Sequence, residues 1–126
     1  MKIQENYRYT NDHEWLRVEG EVGFVGVSDH AQTELGDIVY VEVETVGEDL
    51  AKGEAFGTIE AVKTVADMYM PVSGEVIEFN EDLESHPELI NQDPYGKGWI
   101  IKIRLTDPAE ANEMMDASSY KALLNH

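Results

Sequence analysis

Lys63 is the only Lys or Arg between Gly53 and Gly96, within the run Glu60-Ala61-Val62-Lys63-Thr64-Val65-Ala66-Asp67. Besides Glu60 and Asp67, the same stretch carries Glu54, Glu75, Glu78, Glu81, Asp82, Glu84, Glu88 and Asp93. A single primary amine in so acidic a segment has three readings. As a solvated residue it contributes an ion pair with Glu60 or Asp67, worth about 0–1 kcal/mol. As a gatekeeper it interrupts an aggregation-prone β segment. As a chemical handle it offers an amine on a thin exposed turn that a modifying enzyme can surround.

Elsewhere the chemistry is sparse. His13, His30, His86 and His126 show no metal-ligand spacing, so no metal site is expected. There is no Gly-rich phosphate loop, nucleophile elbow or dinucleotide fingerprint. With 26 acids in the chain, pairs of carboxylates arise by chance. The chain has no cysteine, which removes disulfides, thiolate metal sites and cysteine nucleophiles together. Any redox chemistry must therefore come from a group attached or bound. In His13-Glu14-Trp15, Trp15 reads as a core residue flanked by exposed polar neighbours. Glu14 is an acid that, facing a groove, would hold a cationic group.

The elements that must position these residues are mostly strands. Residues 13–18 and 22–27 flank the turn Glu19-Gly20-Glu21 and predict a hairpin. Ser28-Asp29 reads as an N-cap with an acid in the first turn, Ala31 and Leu35 share a face, and Gly36 is placed to stop the helix. Residues 37–44 predict a strand whose facing the pattern does not decide, and residues 45–50 a loop. Residues 54–62 and 65–72 are two β-like runs separated by Lys63-Thr64, the spacing of a tight hairpin. Pro71 makes the second an edge strand or ends it. Residues 75–80 predict a further strand, residues 81–98 are loop-rich, and residues 99–105 alternate with Trp99, Ile101, Ile103 and Leu105 on one face. Asp107-Pro108-Ala109-Glu110 and Asp116 start two C-terminal helical pieces, the second with Tyr120, Leu123 and Leu124 on one face. The reading is mainly β, with short peripheral helices and a C-terminal helix.

At 126 residues and 42% hydrophobic, the chain is expected to form one domain over residues 1–126. The net charge of −17 and pI near 4.3 disfavour nucleic acid and membrane surfaces, and favour partners with basic faces. No apolar run approaches the roughly 20 residues of a membrane span. The first residues have neither the apolar core of a signal peptide nor the bias of a transit peptide, so a cytoplasmic location is expected.

With those residues in view, the chain resembles the H-protein family of the glycine cleavage system. The likeness is carried by Tyr9-Thr10 with His13-Glu14-Trp15, by Gly26-Val27-Ser28-Asp29-His30-Ala31-Gln32, and by the run from Leu35-Gly36-Asp37 to Glu42. It continues through Phe56-Gly57-Thr58-Ile59-Glu60-Ala61-Val62-Lys63, Pro71-Val72-Ser73-Gly74-Glu75-Val76 and the segment from Asn91 to Trp99. Around the lysine the family usually has E-S-V-K-A, where this chain has Glu60-Ala61-Val62-Lys63-Thr64. The methionines that flank a biotinyl lysine are replaced by Val62 and Thr64.

The resemblance implies a barrel-sandwich hybrid with Lys63 at a hairpin tip, carrying lipoate through an amide. It implies a non-catalytic carrier that takes the aminomethyl group of glycine from a pyridoxal-phosphate-dependent glycine decarboxylase to a folate-dependent aminomethyltransferase. Dihydrolipoyl dehydrogenase then reoxidises the arm, and a lipoylating enzyme installs it. Glu14 and Asp67, with apolar help from Val27, are implied as walls of a groove for the arm's end, and Glu60 as an orienting residue for the lipoylating enzyme. A lipoyl relay that donates lipoate to other lipoyl domains would need the same lysine and fold.

Overall fold

A computed structural model describes residues 2–125. The hairpin expected first forms from β2 (Glu14–Glu19) and β3 (Val22–Val27), with Gly20 at the turn in the left-handed region, φ 66°. Strands β1 (Arg8–Tyr9), β5 (Asp49–Leu50), β8 (Gly74–Phe79) and β9 (Ile101–Leu105) join them in a six-stranded antiparallel sheet, in the order β1-β2-β3-β9-β8-β5. The segment expected to be all loop at residues 45–50 thus ends in a short strand, because Asp49 and Leu50 pair with Glu75 and Gly74. A three-stranded sheet, β4 (Ile38–Glu42), β6 (Ala55–Ala61) and β7 (Val65–Tyr69), lies against it in the order β4-β6-β7.

One apolar core fills the space between the sheets. Leu16, Val25, Val76, Ile101 and Ile103 come from the large sheet, and Val41, Phe56, Ile59 and Met68 from the small one. The architecture is mainly β and sandwich-like, and among the described residues the strands do not close into a barrel. Burying both faces of β2 explains its pattern. Leu16 enters the main core, whereas Trp15 enters a second cluster with Tyr9, Tyr95, Ala117 and Tyr120. Gly26 lies opposite Trp15, and a Cβ there would sit 2.7 Å from the indole, so only glycine leaves room for the ring. Trp15 is therefore a core residue as expected, but its neighbours Glu14 and Leu16 are buried as well.

Several local expectations are corrected. A bulge between Ile38 and Tyr40 puts Ile38 and Val41 inward, three residues apart, which is why period-two reading left β4 without a facing. Residues 81–98 hold two one-turn helices, α2 (Asp82–Ser85) and α3 (Leu89–Gln92). Trp99 precedes β9 and packs edge-on against Phe24, away from the row of Ile101, Ile103 and Leu105. The helix begun at Asp107 is a 3-10 helix, Pro108–Glu113, whose Glu110 carboxylate accepts from the Ser73 N–H instead of closing a capping box. Helix α4 (Ala117–Leu124) buries Tyr120 and packs Leu124, but leaves Leu123 exposed. No helix among the described residues is long and apolar enough to cross a membrane. Of the histidines weighed above, His126 lies outside the described residues.

Candidate functional site

Strand β6 ends at Ala61 and β7 begins at Val65, so the tip between them is Val62, Lys63 and Thr64, one residue longer than the spacing suggested. The Ala61 N–H donates to the Thr64 carbonyl at 2.7 Å and closes the turn. The Val62 N–H donates to the Asp37 carbonyl at 3.0 Å and ties the tip to the residue before β4. Lys63 is exposed, and among the described residues it makes no ion pair, with Glu60, Asp67 or any other acid. Its side chain extends over Gly36, where a Cβ would lie 3.5 Å from the Lys63 Cε. Gly36, at φ 82°, caps helix α1 (Asp29–Leu35), so the amine stands above the C-terminal end of that helix. Asn91 on α3 fixes the corner by donating to the Gly36 carbonyl and accepting from the Ile38 N–H. Val62 and Val65 are exposed beside Lys63, and Tyr40, Glu60 and Val65 form one cross-strand row on the sheet's outer face.

Helix α1 leads from the tip to a cavity of about 360 Å³, a size suited to a small group. Val27, Ile59, Ala66 and Met68 supply its apolar surface, and His30, Glu34 and Leu35 of α1 form one wall. Glu14 and Val27 are register partners across β2 and β3, so both side chains share the face toward this space. Asp67 stands on a ridge between this cavity and a shallower one lined by Glu42, Thr45 and Thr58. The structure thus brings Glu14, Val27 and Asp67 to one cavity, while Glu60 and Lys63 lie at the tip beyond it.

Glu14 is 2% exposed. Its Oε1 accepts from the Thr10 hydroxyl at 2.7 Å, and its Oε2 accepts from the Tyr69 N–H at 3.2 Å. The second bond satisfies a peptide group on β7, an edge strand, that its own sheet leaves unpaired. Burial pushes the Glu14 carboxyl up to about 7, against the lowering effect of those two bonds. No lysine or arginine is among the residues lining the cavity. A buried acid without a cationic partner is the arrangement a cationic ligand would complete.

The sign of the pH effect follows from the raised value. Glu14 contributes stability that is fully present below its ordinary 4.5 and is lost as pH rises to about 7. Glu14→Gln should remove that component. The stability difference between variant and parent, from urea unfolding, should move in the variant's favour by up to about 3 kcal/mol between pH 4.5 and 8. A pH-independent difference would refute it.

Sequence reasoning missed the other polar residues of the wall. His13 has φ 68°, a left-handed conformation costing a non-glycine residue on the order of 1 kcal/mol. It is held by the bonds from its N–H to the Thr10 carbonyl and from the Ser28 N–H to its carbonyl. That turn brings the imidazole to 4.7 Å from the ring of His30, on the cavity wall. The spacing of His13 and His30 in the chain carries no sign of this contact.

With the site described, the comparisons with known proteins are decisive. The family described as Glycine cleavage H-protein matches residues 7–126. The chain belongs to the glycine cleavage H-protein family. It is 54% identical over 125 residues to a protein of Bacteroides thetaiotaomicron named Glycine cleavage system H protein, covering 99% of each chain. A protein of the same name from Symbiobacterium thermophilum is 52% identical over 120 residues, 95% of this chain and 94% of that one. The crystal structure of a glycine cleavage system H protein from Mycobacterium marinum superposes with a TM-score of 0.89 at 35% identity, covering 98% of this chain and all of that one. The family match spans the residues of the tip, the cavity and α4 alike.

Proposed function

We propose that the chain is the lipoyl carrier of a glycine cleavage system, with lipoate joined through an amide to the Lys63 amine. The observation that carries this reading is the pairing of an exposed amine at a thin tip, over the end of α1, with a cavity along that helix that holds a buried acid without a cationic partner. A lipoyl group supplies a disulfide that opens to take up an aminomethyl group and two electrons, chemistry the cysteine-free chain lacks. Lys63, once acylated, loses its charge. Glu60, exposed on β6 one residue before the turn, is available to orient the tip for the lipoylating enzyme.

The cavity residues receive the cargo. An aminomethyl group is cationic near neutral pH, and Glu14 offers it a carboxylate already shielded from water. Docking of the cation favours the ionised form of Glu14 and draws its proton off. Val27, Ile59 and Met68 keep water from the methylene, and Asp67 adds negative charge at the rim. The chain holds, orients and shields, and the bond-making is left to the system's enzymes: the pyridoxal-phosphate-dependent glycine decarboxylase, the aminomethyltransferase and dihydrolipoyl dehydrogenase.

The test is to incubate lipoylated protein with glycine and a glycine decarboxylase, then record released CO2 and the intact mass of the carrier. One CO2 per aminomethyl adduct is expected. Absence of both, with transfer of lipoate to a second lipoyl domain, would replace the shuttle with a relay.

A further inference from the structure

The C-terminal helix reaches the cavity through a chain of hydroxyls. Ser28, the N-cap of α1, is fully buried and accepts from the Ala31 N–H at 3.1 Å. Its Oγ lies 2.7 Å from the Tyr120 hydroxyl, which lies 2.8 Å from Nδ1 of His13. Tyr120 is itself fully buried, with its ring stacked on Tyr9 at 4.3 Å. Proton counting gives the chain a direction. If Tyr120 donated to Ser28, the Ser28 hydrogen would be left buried without an acceptor among the described residues, a costly arrangement. Every group is satisfied when Ser28 donates to Tyr120 and Tyr120 donates to His13 Nδ1.

We infer that Tyr120 is a positioning residue for the cargo cavity: backed by Ser28, it holds the His13 imidazole as the neutral tautomer with its hydrogen on Nε2. This inference rests on the reading of the cavity as the seat of a cationic cargo. A neutral His13 does not repel that cation, and with Nδ1 already accepting from Tyr120 it offers no lone pair to the ammonium. The carboxylates remain as the cation's acceptors. The groups facing His13 are Asp12 and Glu14 beside it in the chain, His30 and Glu34 on α1, Asp67 on β7 and Tyr120 on α4. Burial lowers the His13 titration, and the nearby His30 lowers it further, whereas Asp12 and Glu34 act in the opposite direction. The left-handed backbone at His13 fits the same account, since it aims the ring between Tyr120 and the cavity.

The test begins with the unmodified protein, so that it does not depend on lipoate. In 15N-histidine-labelled protein at pH 7.5, long-range 15N–1H spectra should show His13 Nδ1 unprotonated and Nε2 protonated. Tyr120→Phe keeps the ring and removes the hydroxyl, and with it both the donor to His13 and the acceptor from Ser28. Its His13 should titrate about 0.5–1 pH unit higher, with the single tautomer lost. A protonated Nδ1 in the parent protein, or an unchanged His13 in Tyr120→Phe, would overturn the proposal. If Tyr120→Phe does not fold, the parent spectrum alone still decides the tautomer.

The consequence for the cargo is read on aminomethyl-loaded protein. Tyr120→Phe should release ammonia severalfold faster than the parent at pH 6.5 and at nearly the parent rate at pH 8. Glu14→Gln separates the two claims. If it speeds release and Tyr120→Phe does not at either pH, the role of Tyr120 is refuted. If neither variant changes release, the cavity reading fails and this proposal falls with it.

Discussion

Replacing Glu14 by Gln should leave attachment of lipoate to Lys63 unchanged and speed the spontaneous loss of ammonia from aminomethyl-loaded protein by about 10- to 150-fold. The range is that of a hydrogen bond to a charged group, about 1.5–3 kcal/mol, expressed as a rate ratio. Gln is close to Glu in volume and can still accept from the Thr10 hydroxyl or the Tyr69 N–H, so the cavity keeps its shape. What it loses is the negative charge. The parent protein should also show a pH dependence that the variant lacks. Burial holds Glu14 near 7, so docking a cation there must release a proton, and protection weakens as pH falls below that value. Ammonia release followed from pH 5.5 to 8.5 reads both effects. Glu75→Gln, on the exposed Arg104 pair of the large sheet, should change neither. Equal release from Glu14→Gln and parent protein across that range would remove Glu14 from the account.

The tip and the cavity were not equally legible in the chain. Lys63 stands out by type alone, because one amine in an acidic stretch between two β-like runs needs no tertiary information to be noticed. The strands that carry it follow from alternation, Pro71 lies just past the second of them, and Ser28 and Gly36 bound the neighbouring helix α1 as their backbone chemistry requires. The cavity is different. Glu14 and Val27 meet because β2 and β3 pair in one register, and Asp67 and Met68 join them only when the small sheet packs on the large one. Resemblance named Glu14, Val27 and Asp67, but no pattern in the residues brings them together. His13 was harder still, since its exposure was inferred from a polar neighbourhood while a left-handed backbone turns it inward toward Tyr120, on the far side of the chain. Where period-two reading failed, at β4 and at Trp99, a bulge or the strand's late start had broken the alternation.

Lys63→Arg should abolish lipoylation outright and leave the fold intact. Arg keeps the positive charge at an exposed tip position that makes no ion pair among the described residues, so stability should move by less than about 0.5 kcal/mol. A guanidinium is protonated at any working pH and does not form the amide. The remaining lysines serve as internal controls. Lys52, near the Glu113 carboxylate, and Lys102, over the Phe24 ring, are held elsewhere, and neither sits on a hairpin tip beside α1. The most direct measurement is therefore the intact mass of parent and Lys63→Arg protein after incubation with lipoate, ATP and a lipoate–protein ligase. One lipoyl adduct on the parent and none on the variant is the predicted result. No adduct on folded parent protein, or an adduct that survives in Lys63→Arg, would contradict the assignment of Lys63 as the point of attachment.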